Sequence, residues 1–414
     1  MKRDGKYGKR VQKKRKRKLR IDRVIIVSII LFVIIYMINN IFQNIGQKIE
    51  YANINKENAQ VTALSEDYKI ETLPDITISM AVIGDIMCHN TQYKSAYANG
   101  KYDFSHVFED IKSKIEPADI AIGNLETTFA GSDIGYSSYP TFNTPEALAT
   151  DLKELGIDVL STANNHSLDK GYTGVERTIK YLDEAGIAHT GTYNSEDSAQ
   201  QITALEVNGM KIGFLAYTYG TNGIPVPKGK PYCINLINKE KILSDLNKAK
   251  QLNLDLIVVQ MHWGQEYQAK PNQEQKDLAD FLFQNGADII LGSHPHVLQS
   301  MEKREVTMPD GSKKQGFVIY SLGNFVSGQV KANTRQSVIL NIQLTKCGKT
   351  NAISIDSVDY TPIYTFKGNR YRILDINHVL QNHNNGDTTY GSGTITTLKT
   401  ELQQIKSRIG EPIK

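Results

Sequence analysis

The sequence predicts an α/β domain preceded by one membrane-spanning helix. Three observations carry that reading. Short, almost wholly apolar runs alternate with amphipathic helical patterns, as strands buried on both faces alternate with the helices that connect them. Carboxylate, carboxamide and imidazole residues recur just after those runs. A dense basic block abuts a long uncharged apolar stretch.

That block comes first in the chain. Residues 1–23 hold thirteen Lys or Arg against Asp4 and Asp22, a local charge of +11; the chain of 414 residues totals +4, so the remainder carries −7. Next comes VIIVSIILFVIIYMINNIF, residues 24–42, nineteen residues without a charge. At about 1.5 Å per residue such a helix nearly crosses a hydrocarbon core of about 30 Å. The positive-inside rule then puts the N-terminus in the cytoplasm and the rest outside. A buried core helix would not need the basic block beside it. A cleaved signal peptide would want a small-x-small site, and QNIGQKIE after the run offers none. The expectation is an uncleaved signal-anchor, with the basic tail drawn to anionic headgroups rather than to nucleic acid. Three cysteines, Cys88, Cys233 and Cys347, are too few and too odd for a disulfide framework.

Residues 43–75 are polar and charged and read as a stalk. The pattern then changes. ITISMAVIG (76–84), ADIAIG (118–123), IDVLSTA (157–163), KIGFLAY (211–217), LDLIVVQ (254–260), ADIILG (287–292) and GFVIYS (316–321) read as buried strands. Helical patterns lie between several of them. TPEALATDLKELG (144–156) offers Thr144 as cap, Pro145 at the first helical position and a terminal glycine. Residues 172–186, 238–252 and 272–286 repeat the theme. The last 70 residues are less patterned: 353–366 alternates in part as strands do, 383–394 is a polar loop and 397–408 a modestly amphipathic helix. No glycine-rich nucleotide loop is present, which argues against an ATP-using ligase.

In α/β domains ligands gather at the carboxyl ends of strands. The first run is followed by GDIMCH with Asp85, Met87 and His89; the second by GNLE with Asn124 and Glu126; the third by NNHSLD with Asn165, His166 and Asp169. Later runs are followed by MHWGQEY with His262 and Glu266, SHPH with His294 and His296, and LGNF with Gly323 and Asn324. Packing does not need such residues at six strand ends in order. The mixture of carboxylate, carboxamide oxygen and imidazole suits Mn, Zn or Fe, as one ion or two, better than Ca²⁺. The ligand candidates are Asp85, Glu126, Asn165, His262, His294 and His296. Pro295 stiffens the turn between the last two. Asp169 is placed to orient His166, Glu266 to support His262, and Asn124 and Asn324 to shape the pocket.

The order GDIM, GNLE, NNHSLDKG, HWGQE, GSHPHVLQ and SLGNF resembles the bacterial capsule and poly-γ-glutamate synthesis proteins of the CapA (PgsA) family, over residues 76–345. The resemblance implies a single-pass membrane protein with its large domain outside. It also implies a part in making or exporting an anionic polymer, poly-γ-glutamate, alongside membrane and ligase partners. That family is in turn similar to the calcineurin-like metallophosphoesterases, which implies two mixed sheets flanked by helices and a binuclear centre. On that pattern Asp85 is the first aspartate, Glu126 stands for the bridging aspartate, and Asn165 and His166 match the N-H pair. His262 matches the lone histidine, and His294 and His296 the closing pair. Catalytic roles would fall to Asp85 and His166. Met87 replaces the histidine expected two residues after Asp85, and His89 lies two residues off register. Two functions follow, a metal-dependent hydrolase or a non-catalytic platform for the polymer.

Overall fold

The computed structural model describes residues 31, 34–43, 45–46, 73–308 and 311–414. Leu73–Lys414 forms one compact unit. In chain order its strands are β1 (Ile76–Ile86), the small hairpin β2 (Tyr97–Ala98) and β3 (Lys101–Tyr102), β4 (Ile120–Leu125), β5 (Val159–Ser161), β6 (Ala188–Thr190), β7 (Thr203–Val207) and β8 (Met210–Thr218). β9 (Leu256–His262), β10 (Ile289–Ser293), β11 (Met301–Thr307), β12 (Lys313–Ile319), β13 (Asn324–Val326), β14 (Gln336–Lys346), β15 (Ile353–Lys367) and β16 (Tyr371–Asp375) follow.

They build two mixed sheets flanked by helices, as the resemblance implied. The first has the order β16-β15-β14-β1-β4-β5-β6, with β13 also paired to β1; the second has the order β11-β12-β10-β9-β8-β7. The parallel centre of each is made of the apolar runs. β14, β7 and β11 are antiparallel to their neighbours.

The near-continuous apolar runs are explained by two-sided burial. Ile78, Met80 and Val82 of β1 pack with Phe214, Val258 and Leu291 of the second sheet in one core between the sheets. Ala81 and Ile83 point the other way, into a layer with Leu148 and Leu152 of the helix Ala147–Leu155. On the far side, Ile257, Val259 and Met261 of β9 pack on Leu246, Leu278 and Leu282 from the helices Lys239–Gln251 and Gln273–Gln284. The helix Ser392–Ile409 inserts Ile395, Leu398, Ile405 and Ile409 into the intersheet core.

Two helix starts differ from the sequence reading: the last helix, expected over 397–408, begins at Ser392 inside the stretch read as a polar loop, and Ile376–Asn384 before it is also helical, with Asp375 as its cap. The helix predicted from Thr144 begins at Ala147 with Glu146 as its cap. Thr144 instead turns its hydroxyl to that of Thr127 at 2.6 Å and its N–H to the Thr128 carbonyl, tying the helix to the loop after β4.

The expected membrane anchor is corrected. Among the described residues no helix is long and apolar enough to cross a membrane. Within the expected span 24–42, residues 31 and 34–42 are described and helical. The membrane localisation, the cytoplasmic N-terminus and the extracellular main domain rested on that span and fall with it. Residues 1–30 and most of the 43–75 stalk lie outside the described residues.

Two glycines bring the strand ends close enough to share a site. A Cβ on Gly84 would lie 2.0 Å from the Gly323 carbonyl oxygen, and one on Gly292 would lie 2.0 Å from that of Tyr320. Both are backbone atoms, so neither clash can be relieved by a rotamer. Gly84→Ala and Gly292→Ala are each expected to lower unfolding free energy in urea by about 1–3 kcal/mol or more. Gly393→Ala, where a Cβ meets nothing within 4 Å, is expected to be neutral or stabilising by up to about 1 kcal/mol. Equal stabilities for all three would show that the strand ends are free to separate.

Candidate metal centre

The two sheets bring six strand ends to one place. β1 pairs with β4 and β13 so that Asp85 lies beside both Asn124 and Asn324. β9 and β10 run in parallel to the pair His262–Ser293, which sets His262 next to the turn that carries His294 and His296. The loop after β5 presents Asn165 and His166 across the intersheet seam: the Asn165 Oδ1 lies 2.9 Å from His262 Nε2.

Three side-chain groups here have the spacing to hold a cation. Asp85, Glu126 and His296 form one, Glu126, His262 and His294 a second, and Glu266, His294 and His296 a third; in each, one ligand atom per residue lies within 4.8 Å of the others. Glu126 belongs to the first two, as a bridging carboxylate would. It is fully buried, and neither of its oxygens has a hydrogen-bond partner. Its Oε1 lies 3.7 Å from His262 Nε2 and 3.8 Å from His296 Nε2. Those distances are too long for hydrogen bonds. They are the spacing expected of atoms that share a cation at about 2.0–2.2 Å each. Asn124 Oδ1 and His294 Nδ1 are also buried and unbonded.

The electrostatics agree. Burial, then the charge of Asp85, raises the Glu126 carboxyl well above the usual range. Burial, then the other histidines, pulls His262 well below the usual imidazole range and His294 down to about 3. These imidazoles are therefore neutral near pH 7, the form that binds metal. Without a cation, burial and the nearby Asp85 disfavour the charged form of Glu126.

The surrounding hydrogen bonds fix ring orientation. Asn324 donates its amide to the Gln329 side chain and the Thr334 carbonyl, each at 3.0 Å. Its Oδ1 is left to accept from His296 Nδ1 at 3.0 Å, which frees Nε2 as the ligand atom. Asn124 donates to Asp85 Oδ1 at 2.8 Å. Asp169 Oδ2 lies 2.8 Å from His166 Nδ1 and accepts the Phe142 N–H at 2.6 Å. Nε2 of His166 is then the atom left to hold or give a proton.

His294 and His296 sit at φ 97° and 58°, where side-chain-bearing residues are rare. Such backbone costs of order 1–3 kcal/mol per residue and persists where the surroundings enforce it. Here β10 on one side and the His294 N–H to Asp85 Oδ2 contact (3.3 Å) on the other impose it.

One placement differs from the sequence reading. Glu266 is exposed and belongs with His294 and His296 rather than supporting His262, because the loop after His262 turns toward the SHPH segment. The Tyr267 N–H donates to the Pro295 carbonyl at 2.8 Å and sets that direction. His89 does not replace the histidine missing at Met87: its Nδ1 accepts the Gly328 N–H at 3.1 Å and its ring packs edge-on to Phe142. Tyr219 was not singled out in the sequence, yet its ring centroid lies 4.5 Å from that of His294 and it stacks beside His262 at 6.3 Å. Its one signal was its place just after a strand run, β8, that carries no charged residue at its end.

Comparison with known proteins agrees with the motif order. Residues 79–329 match the family "Bacterial capsule synthesis protein PGA_cap". The capsule biosynthesis protein CapA of Bacillus anthracis is 33% identical over 66% of this chain and 65% of its own length, just under two thirds. The PGA biosynthesis protein CapA of Bacillus subtilis is 30% identical over 72% of this chain and 76% of its own. Among solved structures, a calcineurin-like phosphoesterase, YfkN of Bacillus subtilis, superposes with a TM-score of 0.42 at 17% identity, over 79% of this chain and 100% of that one. With its ordered strand-end motifs and more than half its length matched, the chain belongs to the bacterial capsule synthesis protein PGA_cap family.

Proposed function

We propose that this protein acts in capsule polymer synthesis, on poly-γ-glutamate, through a divalent-metal centre at the seam of its two sheets. Its partners on this reading are the membrane and ligase components of the polymer machinery. The observation that carries the metal is Glu126, buried between three histidines with no hydrogen bond to either oxygen. Two carboxylates, three imidazoles and the Asn165 carboxamide form a donor set for Mn, Zn or Fe.

A cation bound there would supply a Lewis acid for a phosphoryl or carbonyl oxygen. The chain's own residues would do the rest. Asn165 and His262 hold one side of the seam together, and Asn324 and Asn124 orient His296 and Asp85. His166, oriented by Asp169 and nearly buried, is set to move a proton at Nε2. That pair is what favours a hydrolytic step, such as phosphodiester cleavage, over a platform that only binds polymer.

The purified full-length protein is expected to retain a transition metal through dialysis, and His294→Ala with His296→Ala to lose most of it by elemental analysis. Equal metal in both proteins would reject the centre. Glu126→Gln gives a sharper contrast. Metal present at 100 times its Kd adds about 2.7 kcal/mol to the wild type, and a chelator removes that gain. In chelator the Glu126→Gln protein should melt above the wild type, because a buried acid with no hydrogen-bond partner, held beside Asp85, is gone. With metal added the order should reverse; the same order in both conditions would mean that Glu126 holds no ion. For function, His166→Ala should keep the metal, lose aryl phosphodiester turnover by about 10²–10⁴-fold and lose polymer in cells. Polymer that persists in a His166→Ala strain with no turnover would assign the protein to the platform reading.

A further inference from the structure

The loop between β9 and the helix Gln273–Gln284 is built with unusual care for an exposed segment. Gln299, fully buried, accepts from Gln275 Nε2 at 2.8 Å and donates to the carbonyls of Gln268 (2.8 Å) and Lys270 (3.3 Å). Gly264 packs against Gln275 so closely that a Cβ would lie 2.7 Å from its amide. Gly264 and Tyr267 are held at φ 81° and 66°, and the Tyr267 N–H donates to Pro295 between the two histidines. Tyr267 also carries Lys331 over its ring at 3.7 Å. Two buried amides, a contact too tight for a side chain and a strained tyrosine all fix one stretch, and that stretch carries Glu266.

Glu266 reaches ligand atoms of His294 and His296 within 4.8 Å. Those two histidines belong to different cation groups, His296 to that of Asp85 and His294 to that of His262. Glu126 joins the same two groups from the buried side. His294 Nδ1 is itself buried without a hydrogen-bond partner. Resting on the metal-centre reading above, we propose that Glu266 is a metal ligand: a second shared carboxylate that closes the centre from the solvent side, opposite Glu126. Gln299 is the positioning residue that holds its loop in place.

The test is calorimetric titration of chelator-treated full-length protein with Mn²⁺, which needs no activity. Glu266 is exposed, so Glu266→Gln should fold as the wild type does, checked by circular dichroism. The expected result is Mn²⁺ affinity weakened by about tenfold or more in Glu266→Gln, with Glu266→Asp intermediate and the exposed neighbour Glu274→Gln unchanged. Gln299→Leu should weaken binding in the same direction while leaving Glu266 chemically intact. Wild-type affinity and stoichiometry in Glu266→Gln would overturn the ligand role and leave the buried centre standing. Absence of Mn²⁺ binding in the wild type would overturn both.

Discussion

The constraint on which the site depends is the burial of Glu126. A carboxylate removed from water costs several kcal/mol unless its charge is balanced. Hydrogen bonds usually do part of that work, and here they do none. Asp85 stands close enough to raise the cost further. The remaining neighbours are imidazoles that burial keeps neutral, so they cannot supply the balancing charge themselves. A divalent cation resolves all three problems at once. Bound there, it would balance both carboxylates and be held by the imidazoles, whose nitrogens stand 3.7 and 3.8 Å from Glu126 Oε1, too far for a direct hydrogen bond.

Much of the fold exists to keep those groups together. Glu126 follows β4 in the first sheet, while His262, His294 and His296 come from the second. The large apolar core between the sheets fixes their distance. At the seam, Gly84 and Gly292 let backbone lie on backbone, which sets Asp85 beside Asn324 and brings the SHPH turn inward. The strained φ values of His294 and His296 are the local consequence. Stability elsewhere offsets that strain, and the turn gains two imidazoles aimed at one point.

The parts legible in the sequence were those governed by burial and by strand-end position. Strands flanked on both faces read as apolar runs, and the six polar strand ends followed in order. What was missed has physical reasons. β11 reads MEKREVT and lies at a sheet edge, where backbone pairing makes the strand and only Met301 and Val306 are buried, too few to leave an apolar run. β14 is apolar enough to recognise, yet it is antiparallel to β1, and nothing in its own residues states that partner. Gln299, Gln329 and Thr334 act through amides and carbonyls, groups that many surface residues also possess. The span 24–42 shows the opposite failure. Its composition alone suggested a crossing helix, and the described residues include no helix long and apolar enough for that.

Met87 gives the centre its asymmetry. A thioether is a soft, weak donor that does not suit Mn or Zn among carboxylates. Here Met87 is buried, its N–H donates to the Val326 carbonyl, and its sulfur meets the Ser327 hydroxyl at 3.8 Å. That flank is sealed by packing. The opposite flank carries exposed Glu266 and half-exposed Tyr219, whose ring lies over His294. Tyr219 and Glu266 thus line the exposed side of the two histidines. Asp85, Glu126 and His296 offer one imidazole where Glu126, His262 and His294 offer two, so an ion held by the first group would have the fewer nitrogen donors.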